Sequence, residues 1–355
     1  MTLDPIQMRI YNWLMRRTTN SAVRRVGELP LSIGSDIGFV RNENQDRVAV
    51  LRMQLDKGNS VTIAALCDGM GGMLEGSACA AQAISSFFMG CIRHQDVSLR
   101  ERLVLATQEA NQVVHSLYQG RGGATISAVL FDSSGGMLGV NVGDSRIYKY
   151  QEGTLEQITV DDTLADLLKN DLQPRNELLQ FVGMGEGMEP HVIDIPTSYD
   201  FIILTTDGVH FIDRQVLQMV IQAAKDSAIA VRRLIDIAKW CGGRDNASVI
   251  AITPYPPQLP LLDDTDVVQI WDPFGELQVV LSKAIGNAIA EKEPTKDGKV
   301  IVAEPAENTK RLTKHKKKSK PAKRKTTPKN QEEVKKERPQ LNIYFNGNAG
   351  KDNHG

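Results

Sequence analysis

Five aspartates stand where apolar runs begin or end. VTIAALC (61–67) stops at Asp68-Gly69, and FIILTT (201–206) stops at Asp207-Gly208. Asp144 follows MLGVNV in Gly143-Asp144-Ser145-Arg146, Asp245 precedes SVIAIT in GGRDNASVI, and Asp46 leads from RNENQD into RVAVLRM. Taken singly, each is a turn residue, the ordinary use of Asp and Gly between strands. Taken together they allow another chemistry. If the strands lie in adjacent sheets, their ends converge on one rim, and converging carboxylates repel each other unless something positive sits between them. Asp oxygens, backbone carbonyls and water suit Mg2+ or Mn2+, and the set lacks the His and Cys that favour zinc. Glycine beside Asp lets the backbone come close enough for a carbonyl to act as a ligand. Two such ions about 3.5–4 Å apart can share a water, ionise it near neutral pH and aim it in line at phosphorus.

The elements that must position these residues follow from periodicity. RVAVLRM (47–53) alternates, and VTIAALC reads as a buried strand. Residues 76–94, rich in small residues and Phe, read as a helix on a tight interface. Apolar positions at Leu99, Leu103, Ala106, Ala110, Val113, Val114 and Leu117 give a second helix, stopped by Gly120. ATISAVLF, MLGVNV, GDSRIYKY and TLEQIT form a meander with short turns. HVIDI and FIILTT are further strands; helices over 213–225 and 228–241 precede the closing strand SVIAIT. Strands in runs and helices in pairs argue for an α+β fold, two antiparallel sheets packed together with helix pairs outside.

Flanking segments differ in character. Residues 1–30 form an N-terminal amphipathic segment, with a helix over 5–25 opened by Asp4-Pro5. It packs on the domain or on a partner; a membrane-surface anchor is the less favoured alternative. PYPPQLP (254–260) marks the end of the domain, and 261–292 offers a strand and a helix, ELQVVLSKAIGNAIAEK. Beyond residue 293 the chain is Lys-, Pro-, Glu- and Thr-rich, a composition expected to stay disordered.

The whole chain has 355 residues, 41% hydrophobic and 24% charged, as in soluble globular proteins. No window approaches a transmembrane helix, and the N-terminus lacks the pattern of a secretory signal. Cys67, Cys79, Cys91 and Cys241 are scattered without CxxC spacing. A disulfide framework or structural zinc is not expected, and a cytoplasmic location is. The formal net charge of −1 hides an asymmetry. Residues 306–340 carry fourteen Lys+Arg against four Glu, a net of +10, which leaves −11 on the rest.

RNENQD (41–46), CDGMGG (67–72), GGATISAVLF (122–131), VGDSRIY (142–148), TTDGV (205–209) and GGRDNASVI (242–250) stand in the order and approximate spacing of one family. The set resembles the metal-dependent Ser/Thr protein phosphatases of type 2C (PPM), in bacterial style, over residues 33–253. The resemblance implies a four-layer α-β-β-α sandwich with a binuclear Mn2+/Mg2+ site at one end of the sheets. It implies that Asp46, Asp68, Asp207 and Asp245 are metal carboxylates, with Asp68 bridging and Gly69 giving its carbonyl. Asp144 would help hold a more weakly bound third ion. Arg41 would clamp the substrate phosphate, a task for a planar fork of donors, although by itself it reads as a surface ion pair. Catalysis would rest on Asp68, Asp207 and Arg41, with Asn246 and Ser145 in support and Gly71 and Gly72 narrowing the helix entry.

Two departures from the family pattern matter. Met70 stands where many eukaryotic members have a His thought to protonate the leaving oxygen, and Met cannot do so. Gln45 stands where Glu is common, removing one charge near the metals. Residues 161–190 occupy the place of a variable flap. His94, His115, His191 and His210 lack partner spacing and read as surface or packing residues, and the cysteines as small buried hydrophobes. Expected partners are phosphoprotein substrates and a cognate Ser/Thr kinase. The basic tail adds anionic lipid or nucleic acid, without interleaved aromatics for base stacking. Two rivals stay open: a phosphoprotein-binding pseudophosphatase tethered by its tail, and a metal-dependent nuclease.

Overall fold

Alternation along the strands sorts the apolar residues into three layers. In β4 (Ser60–Cys67), Val61, Ile63, Ala65 and Cys67 face one way, and Ala64 and Leu66 the other. In β10 (Phe201–Thr205), Ile202 and Leu204 join the same inner layer as Ala64 and Leu66, while Phe201 and Ile203 point outward. A strand buried on both faces needs a cover on each side, so two such sheets packed together must also carry helices outside.

The computed structural model describes residues 4–54, 60–70, 75–133, 135–164, 177–254 and 267–281. One sheet has six strands in the order β1 (Ser21–Arg25), β2 (Leu31–Asp36), β11 (Ala247–Ile252), β10, β7 (Arg146–Gln151) and β8 (Thr154–Gln157). The other has seven: β13 (Gly275–Val280), β12 (Val267–Asp272), β3 (Arg47–Gln54), β4, β5 (Ile126–Asp132), β6 (Met137–Val142) and β9 (His191–Asp194). Every pairing is antiparallel. Outside the seven-stranded sheet lie α1 (Pro5–Leu14), α2 (Gly76–Arg93) and α3 (Leu99–Tyr118). Outside the six-stranded sheet lie the short α4 (Asp207–His210), then α5 (Arg214–Gln222) and α6 (Ser227–Trp240). The α+β fold with two antiparallel sheets and helices outside them is thus the one expected.

Local signals explain the helix boundaries. Asp4, Ser98, Asp213 and Asp226 each accept a backbone N–H of the first turn, and Pro5 opens α1. The small residues of α2 let it lie close to α3: a Cβ on Gly90 would come within 2.7 Å of the Ala106 Cα.

Two expectations need correction. The helix expected over 5–25 ends at Leu14, and 21–25 is an edge strand paired with β2. Trp13 and Arg16 turn the chain there. The Arg16 guanidinium stacks on the Trp13 ring at 4.1 Å and forms two hydrogen bonds to Asp272, at 2.6 and 2.8 Å. Beyond it, Thr18, Thr19 and Asn20 are poor helix formers. Helix α1 packs on α2 through the buried Ile10 and a hydrogen bond from the Gln7 amide to the Ser86 hydroxyl. Second, the strand expected in ELQVV is present, but it lies within the sheets that 254–260 was expected to end. It is β13, half of a hairpin with β12, and β12 pairs with β3 as part of the sheet. The turn Pro273-Phe274 and the alternation of 267–272 hold the signal for it. The helix expected after Leu281, Gly71, Gly72 and the whole basic tail lie outside the described residues. No described helix is long and apolar enough to cross a membrane.

Candidate metal centre

Strand register brings the five aspartates to one end of the sandwich. In the β3–β4 pair Arg47 faces Cys67, so Asp46, just before β3, and Asp68, just after β4, meet at the same end. In the other sheet Thr205 of β10 pairs with Val249 of β11 and with Arg146 of β7. Asp207, Asp245 and Asp144 lie just beyond those pairs. A hydrogen bond ties the sheets at this rim: the Thr206 hydroxyl donates to Asp46 Oδ2 at 2.9 Å and accepts the Ser248 N–H at 3.0 Å.

Backbone contacts fix the carboxylates. The Asp68 N–H donates to Thr125 Oγ1 (3.0 Å), the Thr125 N–H donates to the Asp68 carbonyl (2.9 Å), and Ser145 Oγ lies 2.7 Å from Thr125 Oγ1. Asn246 staples the 37–45 loop. Its amide donates to the carbonyls of Ile37 and Glu43, and its oxygen accepts the Gln45 N–H at 2.7 Å. Ser145 thus braces Thr125, and Asn246 the loop that leads to Asp46. Thr125 and Thr206, to which residue type alone assigns no role, flank Asp68's partner strand and Asp207 inside the motifs GGATIS and TTDGV. Close backbone approach explains two glycines. A Cβ on Gly69 would overlap the Gly76 carbonyl and sit 2.8 Å from that of Gln45; one on Gly208 would overlap the Asn246 carbonyl.

The electrostatics are those of carboxylates short of positive charge. Burial, and then the nearby Asp46, Asp207 and Asp144, push the Asp68 carboxyl well above the usual range. Burial raises Asp46 to about 7 against the opposing hydrogen bonds of Ser248 and Thr206, with Asp207 and Asp245 adding repulsion. Burial raises Asp144 to about 7, with Asp207 and Asp161 adding to it, and burial raises Asp207, with Asp245 adding repulsion. Asp46 Oδ1 and Asp207 Oδ1 are buried without a hydrogen-bond partner. A buried anionic oxygen left bare is costly unless a cation serves it.

These donors fit hard divalent ions. Among the described residues, no group of three or more His, Cys, Asp or Glu is drawn together so that side chains alone could hold an ion. Mg2+ and Mn2+ do not need that, because carbonyls and waters complete their oxygen shells. Asp245 is engaged by Arg41, whose Nη2 donates to Asp245 Oδ2 at 2.6 Å. The surface ion pair considered for Arg41 and its place beside the carboxylates are thus both present, in one contact.

Around the rim, the root of the segment expected as a flap is pinned. Asp161 takes the Arg146 guanidinium at 2.7–3.1 Å. Asp162 accepts the Gly143 N–H (2.9 Å) and lies 2.9 Å from His191 Nε2. These contacts hold the turn carrying Asp144. The other histidines among the described residues stay out of the centre: His94 pairs with Glu109, His115 meets the Gly183 carbonyl, and His210 is half-buried against Thr205. Cys67, Cys79 and Cys91 are buried free thiols as expected, but Cys241, at the end of α6, is exposed.

The comparisons agree with this architecture. No family model matches the chain. A putative protein phosphatase 2C-type of Streptococcus pyogenes is 24% identical over 243 residues, 63% of this chain and 97% of that protein. The serine/threonine protein phosphatase PstP of Mycobacterium tuberculosis is 27% identical over 274 residues, 71% of this chain but 47% of PstP, so the match spans about half of that relative. The crystal structure of the PstP catalytic domain in complex with 2 manganese ions superposes with a TM-score of 0.53 at 25% identity, covering 66% of this chain and 98% of that one. The two-sheet sandwich is therefore a PPM phosphatase fold. Over this span the chain is similar to PPM-type (PP2C) bacterial Ser/Thr protein phosphatases, through distant relatives and through the fold.

Proposed function

We propose that this chain hydrolyses phosphoserine and phosphothreonine on proteins with the help of two Mn2+ or Mg2+ ions. The observation that supports it most is the group of aspartates at one rim, raised by burial and mutual repulsion, with two bare buried oxygens. Asp46, Asp68, Asp207, Asp245 and the Gly69 carbonyl would hold the pair of ions, with Asp68 shared, and Asp144 would serve a third. When bound, such ions supply Lewis-acid charge at the phosphoryl group and ease ionisation of the attacking water.

The chain's own residues do the rest. Arg41 binds phosphoryl oxygens through its fork of donors once it leaves Asp245. Asn246 and Thr125 hold the loops that set Asp46 and Asp68. Met70 offers no proton to the leaving oxygen, so esters with acidic leaving groups should turn over fastest. The intact set of Asp residues favours a working enzyme over a binder. The nuclease reading lacks support, since Arg41 and the family suit monoesters. A cytoplasmic setting, a cognate Ser/Thr kinase and a localising role for the basic tail complete the proposal; truncation at residue 293 should spare turnover of a small phosphoester.

The test is hydrolysis of p-nitrophenyl phosphate and of a phosphothreonine peptide with added Mn2+ or Mg2+. Asp207→Asn should lower it by about a hundredfold or more. No hydrolysis across a metal and pH series would refute the enzyme. The pseudophosphatase reading draws on the Arg41–Asp245 pair; calorimetric titration showing no Mn2+ binding would favour it.

A further inference from the structure

Beside Arg41 the chain displays two large apolar side chains to solvent: Phe39 is 69% exposed and Val40 64%. Phe39 is held by contacts on both sides. The Phe39 N–H donates to the Gly243 carbonyl at 2.7 Å, and the ring lies over the bare backbone of Gly243, where a Cβ would come within 2.8 Å of Cδ2. The Lys239 ammonium lies 5.4 Å from the ring centroid and is itself held by Asp36 at 2.9 Å. Asp36 also accepts the Gly38 N–H at 2.8 Å. The loop thus runs alongside 243–245, with Phe39 on Gly243 and Arg41 on Asp245. Its aromatic ring is held in place before any ligand arrives, which lowers the ordering cost of binding.

We infer that Phe39 and Val40 form a specificity subsite for an apolar side chain flanking the phosphorylated residue of the substrate. The inference rests on the phosphatase reading, in which Arg41 receives the phosphate. Arg41 lies two residue steps from Phe39, with Val40 between them, a reach of at most about 7 Å. An extended peptide rises about 3.3 Å per residue, so a side chain two positions from the phosphoresidue spans the same gap. The preferred substrates are phosphopeptides with Leu, Ile, Val or Phe at that distance. Ser or Asp there would leave the Phe39 ring uncovered, and Asp would also meet the aspartates of the rim.

The experiment uses the full chain with Mn2+ and phosphothreonine peptides that differ only at the positions two residues before and after phosphothreonine, carrying Leu, Ser or Asp. Turnover of p-nitrophenyl phosphate by the unaltered chain is scored first; its absence would sink the phosphatase reading itself. Given turnover, the Leu peptides should show kcat/KM about tenfold above the Ser peptides, mainly through lower KM. Phe39→Ser should erase that advantage as a rise in KM, and Phe39→Leu should restore most of it. Equal kcat/KM for Leu and Ser peptides, or a preference that survives Phe39→Ser combined with Val40→Ser, would overturn the inference.

Discussion

Arg41→Ala should tighten Mn2+ binding, although it removes the group proposed to bind phosphate. The reason is competition. Asp245 Oδ2 accepts from Arg41 Nη2 at 2.6 Å, and a carboxylate oxygen so engaged must be released before it can ligate a cation. The side chains are 42% and 30% exposed, so the contact is partly screened by water. Pairs of this kind contribute about 0.2–1 kcal/mol, which converts to about 1.4–5-fold in affinity. The Arg41 charge also reaches Asp207 and Asp68, and its removal leaves those carboxylates more attractive to a cation. A gain of a few fold, and below about tenfold, is expected at moderate salt, rising at low salt. Arg41→Lys keeps the charge and loses the fork, so it should fall between. Calorimetric titration with Mn2+ reads this without any catalysis. By linkage, Mn2+ should in turn tighten inorganic phosphate binding to the unaltered chain, because it frees Arg41. Unchanged or weaker Mn2+ binding in Arg41→Ala at both salt levels would refute the competition.

Four further outcomes follow from named contacts. Asp46 and Asp144 sit near 7 in the folded, metal-free chain and near 3.9 when unfolded, so the folded state holds extra protons between those values. The stability they contribute is present below about pH 4 and lost as pH rises through 7; metal-free thermal melts should fall from pH 5 to pH 8, Mn2+ should flatten the fall, and a rising melt would contradict it. Thr206→Val strips one oxygen of Asp46 and the Ser248 N–H of their partner, and should cost about 1–3 kcal/mol in urea unfolding. Gly208→Ala forces a methyl into the Asn246 carbonyl, so a loss of about 3 kcal/mol is expected by the same measurement. Arg16→Ala removes the two bonds to Asp272 and the stack on Trp13; faster amide exchange across α1 and β12 would report it.

Strand existence was readable wherever burial imposed a clean period. VTIAALC and FIILTT carry apolar residues on both faces, and both are central strands. The end of α1 and the place of β12 in the sheet were not readable, because each depends on a partner remote in sequence. Arg16 finds Asp272, and β12 finds β3. Asp68, Asp144 and Asp207 were visible just after apolar runs and Asp46 and Asp245 just before them, and the order of six motifs linked them.

Residue types and local pattern alone pointed to two antiparallel sheets with helices outside and set five aspartates at strand boundaries, because side-chain alternation and turn chemistry are local properties. Tertiary structure decided what those carboxylates experience. Register across both sheets made them neighbours, and burial raised them. Thr206 bound Asp46 across the rim, and Arg41 came to rest on Asp245. Those effects depend on distances between atoms that lie far apart along the chain, such as Asp46 and Thr206 or Arg41 and Asp245, and on water excluded by packing. Neither quantity is written in the order of residues.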